Sequence, residues 1–201
     1  THDLEIRGAG ELLGDEQSGQ IQSVGFSLFM EMLEQAVESL REGREPTLDD
    51  LLKQQAEVEM RIPALLPDEY IPDINTRLSL YKRIASAKDD NELNEIKVEL
   101  IDRFGLLPDA AINLITVNSL KLKAAIIGVK KVESNEKGGY LEFKQDAAIN
   151  PHFLVGLLQT QPHHFRMEGP TKLKIVSNET DRKKRVKFIE DLLNQFRENM
   201  I

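Results

Sequence analysis

The sequence predicts an α+β fold for the larger part of this chain, from about residue 73 to its last residue, 201. Apolar residues recur at three- and four-residue steps between Leu78 and Ile127, and again between Val186 and Phe196, as on helices that bury one face. Between Val129 and Lys144, and between Phe165 and Ile175, apolar and polar residues alternate, the period of a half-buried strand. Gly and Pro punctuate the joints. Helices, a strand pair, a helix, a second strand pair and a last helix make an α+β order with short antiparallel strand pairs.

The elements follow in sequence. Residues 1–24 are rich in glycine (Gly8, Gly10, Gly14, Gly19) and lack a sustained apolar period, so turns and short helical pieces are expected. Phe26, Phe29, Met30, Leu33, Val37 and Leu40 then line one face of a helix that Gly43 stops, and a short helix is expected over Leu48 to Lys53. Val58, Met60 and Ile62 alternate with Glu57, Glu59 and Arg61 as in a strand. Pro63, Pro67 and Pro72 forbid a continuous helix, and a boundary between two units is placed near Pro72. Leu78, Tyr81, Ile84 and Ala85 mark a helix starting near Asn75, and Asp89 with Glu92 reads as a variant capping box for the next. Pro108 and Gly128 bracket a long helix over 109–127. Strands Val129–Ser134 and Tyr140–Lys144, a helix opened by Asn150-Pro151, a hairpin around Gly169-Pro170, and a final helix complete the unit.

Composition narrows the function. There is no Cys, which removes a disulfide framework, a thiolate metal site and a Cys nucleophile. No uninterrupted apolar run approaches the roughly 18–20 residues of a membrane span, so no membrane association is expected. Thr1–Arg7 has neither the basic nor the apolar region of a signal peptide, and a cytoplasmic location is expected. Net charge is −8 but unevenly spread: residues 1–74 carry 5 basic and 17 acidic side chains, residues 75–201 carry 21 and 17. Such a break suggests two units with different neighbours, the first a poor ligand for a nucleic-acid backbone.

Self-contained chemistry is hard to find. Gly8-Ala9-Gly10-Glu11-Leu12-Leu13-Gly14 has one residue too many for the dinucleotide fingerprint and lacks the Gly-Lys-Ser/Thr of a nucleotide loop. The four histidines show no His-Glu-x-x-His spacing, and no Gly-x-Ser-x-Gly elbow occurs, so neither a metal nor a catalytic residue is expected. Two surfaces stand out. Glu92, Glu95, Glu99 and Asp102 form one acidic stripe beside the apolar positions Leu93, Ile96 and Leu100, a solvated face or a docking edge for a basic partner. Arg182-Lys183-Lys184-Arg185 and Lys187 open the last helix, where cations oppose the helix dipole. A solubilising face, partly balanced by Glu179 and Asp181, is the expectation there; a nucleic-acid-binding module built on this helix is the alternative.

The run Asp3-Leu4-Glu5-Ile6-Arg7-Gly8-Ala9-Gly10-Glu11-Leu12-Leu13-Gly14 with Gln17-Ser18-Gly19 resembles a motif shared by RecG helicases and the bacterial transcription-repair coupling factors. Gly25-Phe26-Ser27-Leu28, Leu65-Leu66-Pro67-Asp68, Asn75-Thr76-Arg77-Leu78, Tyr81-Lys82-Arg83-Ile84-Ala85 and Asp102-Arg103-Phe104-Gly105 resemble the coupling factors alone. The resemblance implies a C-terminal fragment of an ATP-driven double-stranded DNA translocase that displaces stalled RNA polymerase and recruits UvrA for excision repair. Residues 1–72 would be the tail of the second RecA-like motor domain, with a helical hairpin and an extended segment. Arg7 and Gln17, on the hinge of Gly8, Gly10 and Gly14, match the family's translocation-coupling residues. Residues 73–201 would be a regulatory domain that packs on the UvrB-like N-terminal module and hides its UvrA-binding surface, with Glu99 and Asp102 matching interface carboxylates. The fragment would bind no cofactor and hydrolyse no ATP, since ATP and Mg²⁺ belong to motor motifs absent from this sequence.

Overall fold

The structure, a computed structural model, describes residues 56–201. The helices expected from Phe26 and over 48–53, and the glycine-rich segment with Arg7, Gly8, Gly10, Gly14 and Gln17, lie outside the described residues. Strand β1 (Glu57–Glu59) is followed by helices α1 (Ile74–Ser86), α2 (Asp90–Phe104) and α3 (Asp109–Ile127). The hairpin β2 (Val129–Asn135) and β3 (Gly138–Phe143), helix α4 (Pro151–Thr160), the hairpin β4 (Phe165–Met167) and β5 (Lys172–Val176), and helix α5 (Arg182–Glu198) complete the chain.

Local chemistry sets these boundaries. Asp73 starts α1 by accepting bonds from the Thr76 amide at 2.8 Å and its hydroxyl at 2.6 Å. Asp89 accepts from the Glu92 amide at 2.9 Å, and the Glu92 carboxylate returns to the Lys88 amide at 2.9 Å, which closes the expected box one residue early. Asn150 and Asp181 cap α4 and α5 through the amides two and three residues on. Helix α3 ends at Gly128, left-handed at φ 79, whose amide reaches the carbonyls of Ala124 and Ala125.

The two expected strand pairs merge into one five-stranded sheet of order β1-β2-β3-β5-β4, because β3 also pairs antiparallel with β5. The sheet is not wholly antiparallel. Strand β1 joins its edge parallel to β2, with Val58 opposite Val132. The strand stops at Glu59 because Arg61 takes a positive φ of 51 and turns the chain, although Met60 and Ile62 stay buried. Residues 56–71, which precede the boundary expected near Pro72, therefore supply a strand to this sheet and Met60, Leu66 and Ile71 to its interior.

Two apolar clusters form the interior. Leu80, Ile84, Leu93, Ile96 and Leu100 of α1 and α2 pack with Leu66, Ile71, Ala111, Leu114 and Ile115. Val132, Leu141, Phe143, Leu173 and Ile175 of the sheet pack with Leu120, Ala124 and Ile127 of α3 and with Ile189, Leu192, Leu193 and Phe196 of α5. Helix α3 thus serves the helical cluster with its first half and the sheet with its second, and Val117 touches both. This double burial explains why α3, which reaches a mean hydropathy of 1.4 over an 18-residue window, is long and apolar enough to cross a membrane by length and composition, although polar residues interrupt it throughout. Within the helical cluster the buried Tyr81 hydroxyl accepts the Leu66 amide at 2.7 Å.

A Cβ at Gly128 would stand 2.7 Å from the Ala147 Cβ, on a backbone already left-handed. Gly128→Ala is expected to destabilise the protein by at least about 1–2 kcal/mol, measured by urea unfolding at constant m-value.

Candidate functional site

Helix α2 is held at both ends. At its start Asp90 takes the Ser119 hydroxyl at 2.6 Å and the Lys123 ammonium at 3.1 Å, both from α3. Partial burial works to raise the Asp90 pKa, but those two partners prevail and hold the carboxyl below its ordinary value. Lys123 also lies 3.6 Å from Glu190, so one ammonium ties α2, α3 and α5 together. At the far end the Tyr70 hydroxyl lies 3.0 Å from the Leu100 carbonyl and 2.8 Å from that of Gly105, and the Tyr70 ring meets Phe104 edge-on.

The acidic stripe does not act as one group. Glu92 is committed to the cap. Glu99 is gripped by Arg83 of α1 at 2.7 Å and by Arg103, one turn on, at 2.9 Å. The hydrogen bonds from Arg83 and then Arg103 bring its carboxyl down to about 2. Glu95 and Asp102 are exposed, and neither side chain has an ion-pair or hydrogen-bond partner among the described residues. Glu95 and Asp102 are seven residues apart, two turns of the same face. Beside them Val98 is 58% and Ile101 38% exposed, and Leu106 just past the helix is 89% exposed. The two carboxylates thus have an apolar flank that the acidic spacing alone did not reveal; Val98 and Ile101 fall off the Leu93–Ile96–Leu100 stripe, which was the available signal.

This arrangement can receive a partner. Two carboxylates without internal partners border a short apolar strip on a helix whose orientation is fixed. The basic run of α5 divides as well: Arg182, Lys183, Lys184 and Lys187 are exposed as expected of a solubilising face, whereas Arg185 is buried. Arg185 sits four residues before Ile189, on the apolar face, which the run of like charges concealed.

Because Glu99 is depressed in the folded state, its ion pairs stabilise above the ordinary carboxylate pKa of 4.5, and that contribution fades as pH falls from 4.5 toward about 2. Both arginines are half exposed, so Glu99→Gln is expected to cost only about 0.5–1 kcal/mol at pH 7. The difference from the parent, followed by urea unfolding, should shrink toward zero near pH 2–3.

Comparison with known proteins places this geometry. Residues 60–154 match the family model of the TRCF domain. The transcription-repair-coupling factor of Escherichia coli is 58% identical over all 201 residues, and that of Haemophilus influenzae 54% identical over 193 residues. The chain spans only 18% and 17% of the length of these two relatives. The fold is similar to a crystal structure of the C-terminal domain of transcription-repair coupling factor, at a TM-score of 0.57 and 22% identity, covering 73% of this chain and 98% of that one. With a family-domain match over residues 60–154 and relatives aligned over 96–100% of its sequence, the chain belongs to the transcription-repair-coupling factor family.

Proposed function

We propose that this chain is the coupling and autoinhibitory C-terminal part of an ATP-dependent double-stranded DNA translocase that displaces stalled RNA polymerase and recruits UvrA for nucleotide excision repair. Residues 1–72 close the second RecA-like motor domain, and Arg7 and Gln17 relay nucleotide state to movement on DNA. ATP and Mg²⁺ act in motor motifs outside this sequence, and the chain by itself is not an enzyme. Residues 73–201 form the regulatory domain, onto which 56–71 pack, and this domain masks the UvrA-binding surface of the UvrB-like N-terminal module.

The observation that supports the masking role is the outer face of α2. Two turns carry Glu95 and Asp102 without internal partners next to exposed Val98 and Ile101, on a helix fixed by Asp90 and Tyr70. A basic rim on the module would pair with the carboxylates, and an apolar centre would cover the valine and isoleucine. Glu99 contributes at one remove: its charge offsets one of the two carried by Arg83 and Arg103, so that with Glu95 and Asp102 the face stays net acidic. Glu92 serves the cap that starts the helix.

Calorimetric titration of this chain with the separately expressed UvrB-like module tests the reading. Charge reversal by Glu95→Arg with Asp102→Arg is expected to weaken binding at least about tenfold, and Val98→Asp to do the same. Glu99→Gln should weaken it by less than about threefold. Binding untouched by all of these variants would remove α2 from the interface.

A further inference from the structure

A cavity of about 260 Å³ lies on the other side of the molecule's chemistry, between the β2–β3 hairpin, the residues after β5 and the first turns of α5. Arg185 lines it and is 5% exposed. Its Nη1 makes two long bonds, 3.4 Å to the Glu179 carbonyl and 3.3 Å to that of Thr180, and its buried Nε has no partner. No carboxylate pairs with this guanidinium among the described residues. The acid that also lines the cavity, Glu179, accepts the Asp181 amide at 2.9 Å, and Asp181 in turn caps α5. A buried guanidinium with an idle donor and no counter-ion is costly. Holding the turn before α5 explains Nη1 but not Nε.

The surroundings identify what the guanidinium charge would attract. Lys184, on the same turn, also lines the cavity, and both cations stand at a helix N-terminus that disfavours them unless an anion is near. Ser134 of β2 and Ser177, just past β5, also line it, the Ser177 hydroxyl accepting the Glu179 amide at 3.2 Å. The Asn135 carbonyl oxygen is taken by the Lys137 amide at 2.9 Å, which leaves its NH₂ as the free end. Donors that converge from three elements suit a tetrahedral oxyanion with three acceptor oxygens better than a planar carboxylate. The wall next to them is Phe188, 40% exposed and stacked on Phe165 with ring centroids 6.0 Å apart.

We propose that this cavity binds a phosphate monoester, with the phosphoryl group against Arg185 and Lys184 and a flat apolar body on Phe188. At about 260 Å³ the cavity has room for the phosphoryl group and little more, so the base of one mononucleotide, free or at the phosphorylated end of a single strand, lies at its mouth on Phe188, and a duplex does not enter. The buried Arg185 donor and the exposed Phe188 ring make the two halves of the ligand separable in experiment.

Nitrogen-15 NMR of this chain tests it, with the Arg185 Nε–Hε signal and the Asn135 and Ser177 amides as reporters. Inorganic phosphate should shift these signals saturably, adenosine 5′-monophosphate should do so about tenfold more tightly through stacking, and acetate should not. Lys184→Gln should weaken both phosphate ligands several-fold, and Phe188→Ala should erase the advantage of the nucleotide while leaving inorganic phosphate unchanged. Both replaced side chains are exposed, so these variants decide the matter even if Arg185→Lys fails to fold. A tetranucleotide bearing a 5′-phosphate, set against its 5′-hydroxyl counterpart, separates a strand end from a free nucleotide as the source. The absence of saturable shifts, equal shifts with acetate, or shifts indifferent to Lys184→Gln and Phe188→Ala would each overturn the proposal.

Discussion

Helix α3 has to bury a face of each half against a different surface, and the rest of the domain is arranged around that requirement. Ala111, Leu114 and Ile115 settle against α1 and α2, while Leu120, Ala124 and Ile127 settle against the sheet and α5. A helix packed in this way cannot move relative to one layer without opening the other, since close-packed interiors transmit displacement and do not absorb it. Lys123 extends the same logic to the surface, where its ammonium reaches both Asp90 and Glu190. The position of α2 relative to the sheet is therefore fixed by apolar packing below and by charge above.

That fixity matters to what α2 offers. A docking surface on a pre-ordered helix spares the ordering entropy that a loop would lose on binding. The carboxylates of α2 also separate into two kinds. Those with internal cations, Asp90 and Glu99, secure the fold; those without, Glu95 and Asp102, stand exposed with no partner among the described residues. Had all of them found arginines or lysines within the domain, the helix would present a neutral face with little power to select a partner.

The sequence was most readable where the determining chemistry is local. Pro108 and Gly128 bracket α3 to the residue, and Asp89 with Glu92 announces α2, because caps act within one turn. The alternation from Val129 onward gave both hairpins, but not their union, since the β3–β5 pairing depends on how α4 returns the chain. The pairing of β1 with β2 left no local trace. At the candidate site the spacing put four acids on one face of α2, yet which of them remain available depends on Arg83, a residue of another helix. Arg185 was legible in principle: its distance to Ile189 and Leu192 follows the apolar period, but a run of basic residues draws attention to charge and away from phase.

The parallel pairing of β1 also has a history in time. Glu57 sits opposite Lys131, so the two strands are separated by 74 residues of chain. At about 5–20 residues per second of synthesis, β1 leaves the ribosome roughly 4–15 s before its partner exists. Helices α1 and α2 can form in microseconds during that wait, and Leu66 and Ile71 can already shelter against them. The strand itself cannot. Val58, with Met60 and Ile62 just beyond the strand, must pass those seconds without native partners, flanked by Glu57, Glu59 and Arg61, whose charges discourage pairing with a neighbouring nascent chain. The β1 strand is accordingly the first of this sheet to be translated and the one that waits longest for its partner.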